Sequence, residues 1–297
     1  MNLPVVAGVD GSARSLAAAD WAAREAALRH ATLRLVHAIP SAPGMVMPVA
    51  AAEVWQPVGE EMLQHAVAGL RERYPRLVVR GEQVSGSPAE TLLAAAADAG
   101  LLVVGARGAG GFDGLAMGSV ALRAAAAALC PVVVVPEPHA GSGDAEEMAD
   151  SARVVAGLAA HTPDATADAT ADFAFAAALG HDALLRVVRA WALPAAAVSP
   201  LMLDVTEGDR ADWEDQEVLL LSDALRPWQE KYPEVAVQPD VRLLHPAMAL
   251  VTASSDAELL VIGRRTEPRA PEGRLGPVAH AVLHHARCPV AVVPHAG

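Results

Sequence analysis

Residues 101–136 read LLVVGARGAGGFDGLAMGSVALRAAAAALCPVVVVP, and how that run divides decides the fold. It opens with a short apolar stretch, 101–104, of the kind that forms a strand buried on both faces. A glycine-rich loop covers 105–118. Ser119 then starts an alanine-rich segment, 120–129, of strong helix propensity. Cys130 and Pro131 stop that helix, and 132–135 is a second buried strand. Strand, glycine loop, helix start and strand together lay out an anion site. The first N–H groups of a helix lack intrahelical partners, and the helix dipole is positive there. Glycines let the backbone pass close to a ligand without a Cβ in the way.

The spacing inside the loop says more than its composition. The chain has no Gly-x4-Gly-Lys-Ser/Thr, and its single lysine is Lys231, so a Walker A loop is excluded. No register of GARGAGGFDG satisfies G-x-G-x-x-G, which excludes the dinucleotide fingerprint. What the loop does satisfy is Gly-x2-Gly-x9-Gly-Ser, at Gly105, Gly108 and Gly118–Ser119. Between two hydrophobic strands, that pattern resembles the ATP-binding signature of the universal stress protein family.

Upstream, 4–9 reads as a first strand ending in the turn Asp10-Gly11-Ser12, with Ser12 or Ser15 capping a helix over 16–29. A second strand is expected at 33–38 and a long helix near 53–73, closed by Tyr74-Pro75. A third strand, 77–84, alternates more and belongs at a sheet edge. Ser87-Pro88 opens a helix over 89–98. Strands alternating with helices argue for a parallel sheet covered on both faces.

The second half repeats the first. Residues 101–105, LLVVG, recur as LLVIG at 259–263, an offset of 263 − 105 = 158. Cys130-Pro131 and Cys288-Pro289, Trp55 and Trp213, Tyr74-Pro75 and Tyr232-Pro233, Pro88-Ala89 and Pro246-Ala247 share it. Nearer the start the offset falls: VVAGVD at 5–10 aligns with 154–159, and Asp20 with Asp172. The expected organisation is a domain over 1–137, a polar linker over 138–150 and a second domain over 151–297.

A chain of 297 residues with 53% hydrophobic content is long enough for two ordinary domains with ample cores. The longest apolar stretches are broken by Arg123 and Pro131, so no membrane span is expected. The start, MNLPVVAGVD, lacks a basic n-region, so no signal peptide is read and a cytoplasmic location is expected. Both cysteines precede a Pro-Val strand and read as buried apolar residues. A net charge of −13, scattered arginines and 3% aromatic content argue against nucleic acid as a partner.

GVDGS at 8–12, LVHAIP at 35–40 and the glycine signature, with a degenerate copy behind them, extend the resemblance over nearly the whole chain. A tandem universal stress protein implies two doubly wound α/β domains. Each would hold a five-stranded parallel sheet in order 3-2-1-4-5, with nucleotide at the carboxyl ends of strands 1 and 4. Crevices at such switch points are where open α/β sheets bind ligands. The resemblance implies ATP, with or without Mg²⁺, as the ligand. Asp10 would face the ribose or a metal, and Gly8 would let the ligand lie against strand 1. Ala38 would offer backbone hydrogen bonds to the adenine. Gly105, Gly108 and Gly111 would shape the loop, with Arg107 near the phosphates. Gly118, Ser119 and Val120 would supply backbone N–H groups and one hydroxyl. Plainer roles stand beside these: an Asx turn for Asp10, a helix N-cap for Ser119, a solvated loop arginine for Arg107.

In the second copy Gly105 becomes Gly263, Gly108 becomes Thr266, Gly118-Ser119 becomes Gly276-Pro277 and Asp10 becomes Ala159. One nucleotide per chain is therefore expected, in the first copy. Threonine at 266 cannot easily reach positive φ, and Pro277 removes an N–H and a hydroxyl. Arg264, Arg265, Arg269 and Arg274 leave weaker anion binding open. His280, His284 and His285 lack a third zinc ligand or an HExxH glutamate and read as a surface or interface helix. Asp164, Asp168 and Asp172 read as helix N-terminal charges. The functional expectation is a regulatory, stress-associated adenine-nucleotide binder. A weak ATPase or autophosphorylating protein and an interaction module with a vestigial site are the alternatives. The last strands, 132–135 and 290–293, are expected to pair the two copies antiparallel, and a homodimer is conceivable.

Overall fold

The computed structural model describes residues 2–39, 49–109, 116–137, 153–158, 165–193, 206–266 and 273–296. Gly111, Ala159, Asp164, Arg269 and the expected linker, 138–150, lie outside the described residues. The described residues form two compact units. One holds 2–137 with 266, 273–275 and 289–294; the other holds 153–265, 276–288 and 295–296.

In the first unit, strands β1 (Val5–Gly8), β2 (Leu33–Ile39), β3 (Val79–Ser85), β4 (Leu101–Gly105) and β5 (Val132–Val135) lie in the order β3-β2-β1-β4-β5, all parallel. This is the expected doubly wound order. The apolar runs explain which strands are central: β1, β4 and β5 are buried along nearly their whole length, whereas β3 buries only Val79 and sits at the edge. Each fully buried valine or leucine there contributes about 1.5–3 kcal/mol.

Helices α1 (Ala13–Leu28), α2 (Val49–Arg73), α3 (Pro88–Ala95) and α4 (Ser119–Ala127) cover the faces. Ser12 caps α1, its hydroxyl accepting the Ser15 N–H at 3.2 Å, and Pro88 opens α3. Alanines 18, 19, 22, 23 and 26 are buried in α1, and their small side chains let the helix lie close against the strands. The unit also includes Val290–Val292, in register with Val132–Val134 and antiparallel to them.

The second unit repeats the scheme with β6 (Arg153–Gly157), β7 (Leu184–Trp191), β8 (Val237–Leu243) and β9 (Leu259–Thr266), in the order β9-β6-β7-β8. Its helices are α5 (Ala165–Gly180), α6 (Glu207–Lys231), α7 (Pro246–Ala253) and α8 (Pro277–His285). The last strand of this copy, β10 (Val290–Ala296), has its residues 289–294 in the first unit. The second copy thus has the five strands expected of it, β6 to β10, with residues 290–294 of the last grouped in the first unit. Cys130 and Cys288 are buried free thiols, as expected.

Candidate functional site

The site in the first copy is built on the end of β1. Asp10 Oδ1 accepts from the Ser12 N–H at 3.0 Å and the Ser12 hydroxyl at 2.6 Å. That is the Asx turn expected of Asp-Gly-Ser, and Gly11 takes φ +83° to close it. Asp10 Oδ2 accepts the Ala109 N–H at 2.7 Å, across 99 residues of chain. The carboxylate therefore ties the turn after β1 to the loop after β4. Burial on one side pushes the Asp10 pKa up, but the Ser12 hydroxyl and the Ala109 and Ser12 N–H groups outweigh it. The net result is a carboxyl held below its ordinary value.

This tie explains the second glycine of the signature. A Cβ on Gly108 would press into Asp10 Oδ2. Gly108 does not take positive φ, so the conformational reason expected for it is corrected: the requirement is close approach of a carboxylate. A Cβ on Gly105 would lie 3.2 Å from the Arg14 carbonyl oxygen, where the loop turns back over the start of α1.

Gly118 is the N-cap of α4, with φ −87° and ψ 155°, a conformation open to any residue. Its N–H donates to the Ala106 carbonyl at 2.7 Å, and its own carbonyl accepts from Leu122. An added Cβ would meet nothing closer than 3.5 Å, an ordinary contact. The described fold thus has no packing reason for glycine here. With no cap side chain, the N–H groups of Ser119, Val120 and Ala121 are left facing outward from the first turn. Ser119 is exposed and is the first helical residue; it is not the cap.

Across the crevice, β1 ends at Gly8 opposite Val36, and the Val9 N–H reaches the Val36 carbonyl at 2.9 Å. Strand alternation turns both backbone groups of Ala38 to that same side, one step beyond the end of β1. His37 Nδ1 lies 2.9 Å from the Val9 carbonyl and fixes this corner. Gly8 has a packing role: Leu92 of α3 sits over it, with Cδ1 2.8 Å from where a Cβ would be. Arg107 is half-buried in the loop, and Arg14 of α1 pairs with Glu137 at 2.7 Å. Asp10, Gly105, Arg107, Gly108, Gly118 and Ser119 therefore gather on one rim. Leu92, Ala109, Arg14 and Glu137 were not singled out in the sequence. The recurrence of Leu92 as Leu250, 158 residues on, is a signal that marks the first of them.

The residues present fit a phosphorylated ligand: an uncapped helix start, a glycine without a packing reason, and a loop pre-ordered by Asp10. A metal is less well served. Asp10 already accepts three hydrogen bonds, and among the described residues no cluster of three potential metal-ligating side chains occurs.

The second copy keeps some of these features and loses others. β9 runs straight through Arg264, Arg265 and Thr266, whereas β4 stops at Gly105 and bends toward Asp10. Gly276 is again the N-cap, but Pro277 occupies the first helical position. Gly157 repeats Gly8, with Leu250 seated over it. Arg264 is buried, and burial pushes its pKa down, so it does not serve an exposed anion loop. The His280 and His284 rings lie 4.5 Å apart between centres, tilted by 31°, and among the described residues no third metal-ligating side chain joins them.

Comparison with known proteins agrees with this architecture. The universal stress protein family model matches residues 1–136 and 158–294. A universal stress protein of Mycobacterium tuberculosis strain ATCC 25618 / H37Rv is 32% identical over 295 residues, spanning 97% of this chain and 96% of that one. A second from the same strain is 30% identical over 310 residues, spanning 98% and 96%. Among solved structures, a universal stress protein from Archaeoglobus fulgidus DSM 4304 has a TM-score of 0.66 at 15% identity, covering 99% of this chain and 96% of that chain.

Proposed function

Because the chain belongs to the universal stress protein family, we propose that it is a regulatory protein that binds ATP or a related adenine nucleotide through its N-terminal copy. The observation that carries this reading is the Asp10–Ala109 tie, which sets the loop beside Gly118, a glycine at an uncapped helix start with room for a side chain. Gly276 is also uncapped, but there Pro277 follows and Ala159 replaces the aspartate. Phosphates occupy the space at Gly118 in the proposal, held by the N–H groups of Ser119 and Val120, the Ser119 hydroxyl and the Arg107 guanidinium. Gly105, Gly108 and Gly111 let the loop close over them, and Asp10 sets the loop in place before the ligand arrives. Gly8 and Ala38 form the opposite wall, with the adenine reading the Ala38 backbone. Mg²⁺, when it comes with the nucleotide, is held mainly by the phosphates, because Asp10 is already engaged.

The Asp10 carboxyl is held by donors and its pKa is lowered, which suits a fixed support better than a general base. With a single lysine, Lys231, seated on Asp172 and Tyr232, binding is favoured over phosphoryl transfer. Mass spectrometry of nucleotide released from the purified protein tests the reading. An adenine nucleotide at stoichiometric amount, lost in Asp10→Ala with Gly118→Ala, is expected. ATP turnover well above background and lost with Ser119→Ala would replace it with an enzymatic one. We also propose that the two copies pack through their last strands in a cytoplasmic protein; free domain motion in small-angle scattering would contradict that packing.

A further inference from the structure

The second unit has a cavity of about 420 Å³ at the carboxyl ends of β6 and β9. Its walls are mostly apolar, with Val188, Leu250, Ile262 and Val278 among them, and among the described residues no carboxylate lines it. That volume and lining are ordinary for a small-molecule site.

Three polar side chains break the apolar surface: Thr170, Arg265 and His295. Thr170 is 3% exposed, and its hydroxyl has no hydrogen-bond partner among the described residues. A buried hydroxyl left unpaired is costly, and this one is free to donate to an acceptor placed in the cavity. Thr170 Oγ1 and His295 Nε2 converge on one patch of wall, 2.8 and 2.9 Å from where a Cβ on Gly263 would sit. The corresponding positions of the first copy hold Ala18 and Glu137, an apolar residue and an acid. The second copy has thus exchanged a carboxylate for an imidazole and added a hydroxyl donor.

A nucleotide is a poor match. The strand continues where a phosphate loop would bend, and Pro277 removes an N–H from the helix start. One polar corner with donors and no acid, backed by a long apolar wall, matches a smaller molecule. We propose that the C-terminal copy binds a small amphipathic monocarboxylate, its carboxylate held by Thr170, His295 and Arg265 and its apolar body against Val188, Leu250 and Ile262. The site stands apart from the nucleotide reading of the first copy and does not depend on it.

Titration calorimetry on the full chain with octanoate, and with 1-octanol as the uncharged match, tests this. Octanoate should bind at one per chain and 1-octanol at least tenfold more weakly, the difference expected of a hydrogen-bonded charged head. Thr170→Val and Arg265→Met should each weaken octanoate by about tenfold. Leu250→Trp should fill the cavity and abolish binding. Should that variant not fold, Val278→Trp at the rim must do the same with an unchanged melting temperature. Saturating ATP should leave octanoate binding intact. The proposal is overturned by no binding of octanoate at millimolar concentration or by 1-octanol binding as tightly. Binding that survives the filled cavity, or displacement of octanoate by ATP, overturns it equally.

Discussion

In the first copy Arg34 reaches Glu82 and Asp98, both at 3.1 Å; in the second, its equivalent Arg186 reaches Asp240 at 2.7 Å and Asp256 at 3.5 Å. Tyr74 donates to Asp20 at 3.3 Å, and Tyr232 to Asp172 at 2.7 Å. These pairs tie helices and strands together on the side away from the candidate site, and they are the same in both copies. The carboxyl ends of the strands tell the opposite story. Asp10 and Gly108 align with Ala159 and Thr266, and Gly276 keeps the uncapped glycine start but is followed by Pro277 in place of Ser119. The packing that both copies need to fold has been kept, and the groups that only a ligand would use have diverged. A divergent carboxyl end on an intact frame is what makes the second cavity a site of different chemistry.

The largest expected effect on this comparison comes from Gly108→Ala. A methyl group driven into Asp10 Oδ2 should break the tie to Ala109 and lower nucleotide affinity by about a hundredfold, or about 2.7 kcal/mol. Thr266→Gly should restore nothing in the second copy, where β9 does not bend. Calorimetric titration with ATP reads both. Next come the repeated arginines. Arg186 and Asp240 are largely buried, so Arg186→Met should cost about 1–2 kcal/mol in urea unfolding, limited because Arg242 stays on Asp240 and Arg153 on Asp256. Arg34→Met, whose acidic partners are exposed, should cost less than about 1 kcal/mol.

The two cysteines should behave alike. Burial pushes the Cys130 thiol up to about 11 and the Cys288 thiol up to about 12. Neither should react with a thiol reagent at pH 8 until the chain is unfolded. The smallest effect is the acid limb of stability. The Asp10 carboxyl lies below its ordinary 3.8 in the folded chain, so its contribution is present at neutral pH. It is lost as pH falls through the lowered folded value. Asp10→Asn should flatten unfolding curves only below about pH 4, the range in which a carboxylate takes up its proton.

Much of the frame was legible because it is local and repeated. Apolar runs such as 101–104 and 132–135 name their own strands, and the offset of 158 residues shows the second copy directly. The site was legible only as a set of glycines. Why Gly108 is glycine depends on Asp10, which lies 98 positions earlier, and why Gly8 is glycine depends on Leu92. No local pattern carries such contacts. The straight course of β9 was also hidden: Arg264-Arg265-Thr266 has no strand alternation of its own, and pairing with its neighbours extends it. The place of 289–294 in the first unit likewise follows from the register of Val290 with Val134, a tertiary fact.

Titration of the full chain with ATP tests the central claim most directly. One site per chain, abolished by Asp10→Ala with Gly118→Ala and not doubled by Pro277→Ser, is the expected result. At about 100 times its dissociation constant the ligand should then stabilise the wild type by roughly 2.7 kcal/mol and leave the double mutant unchanged. Two equivalent sites per chain, or binding that survives the double mutant, would contradict the account.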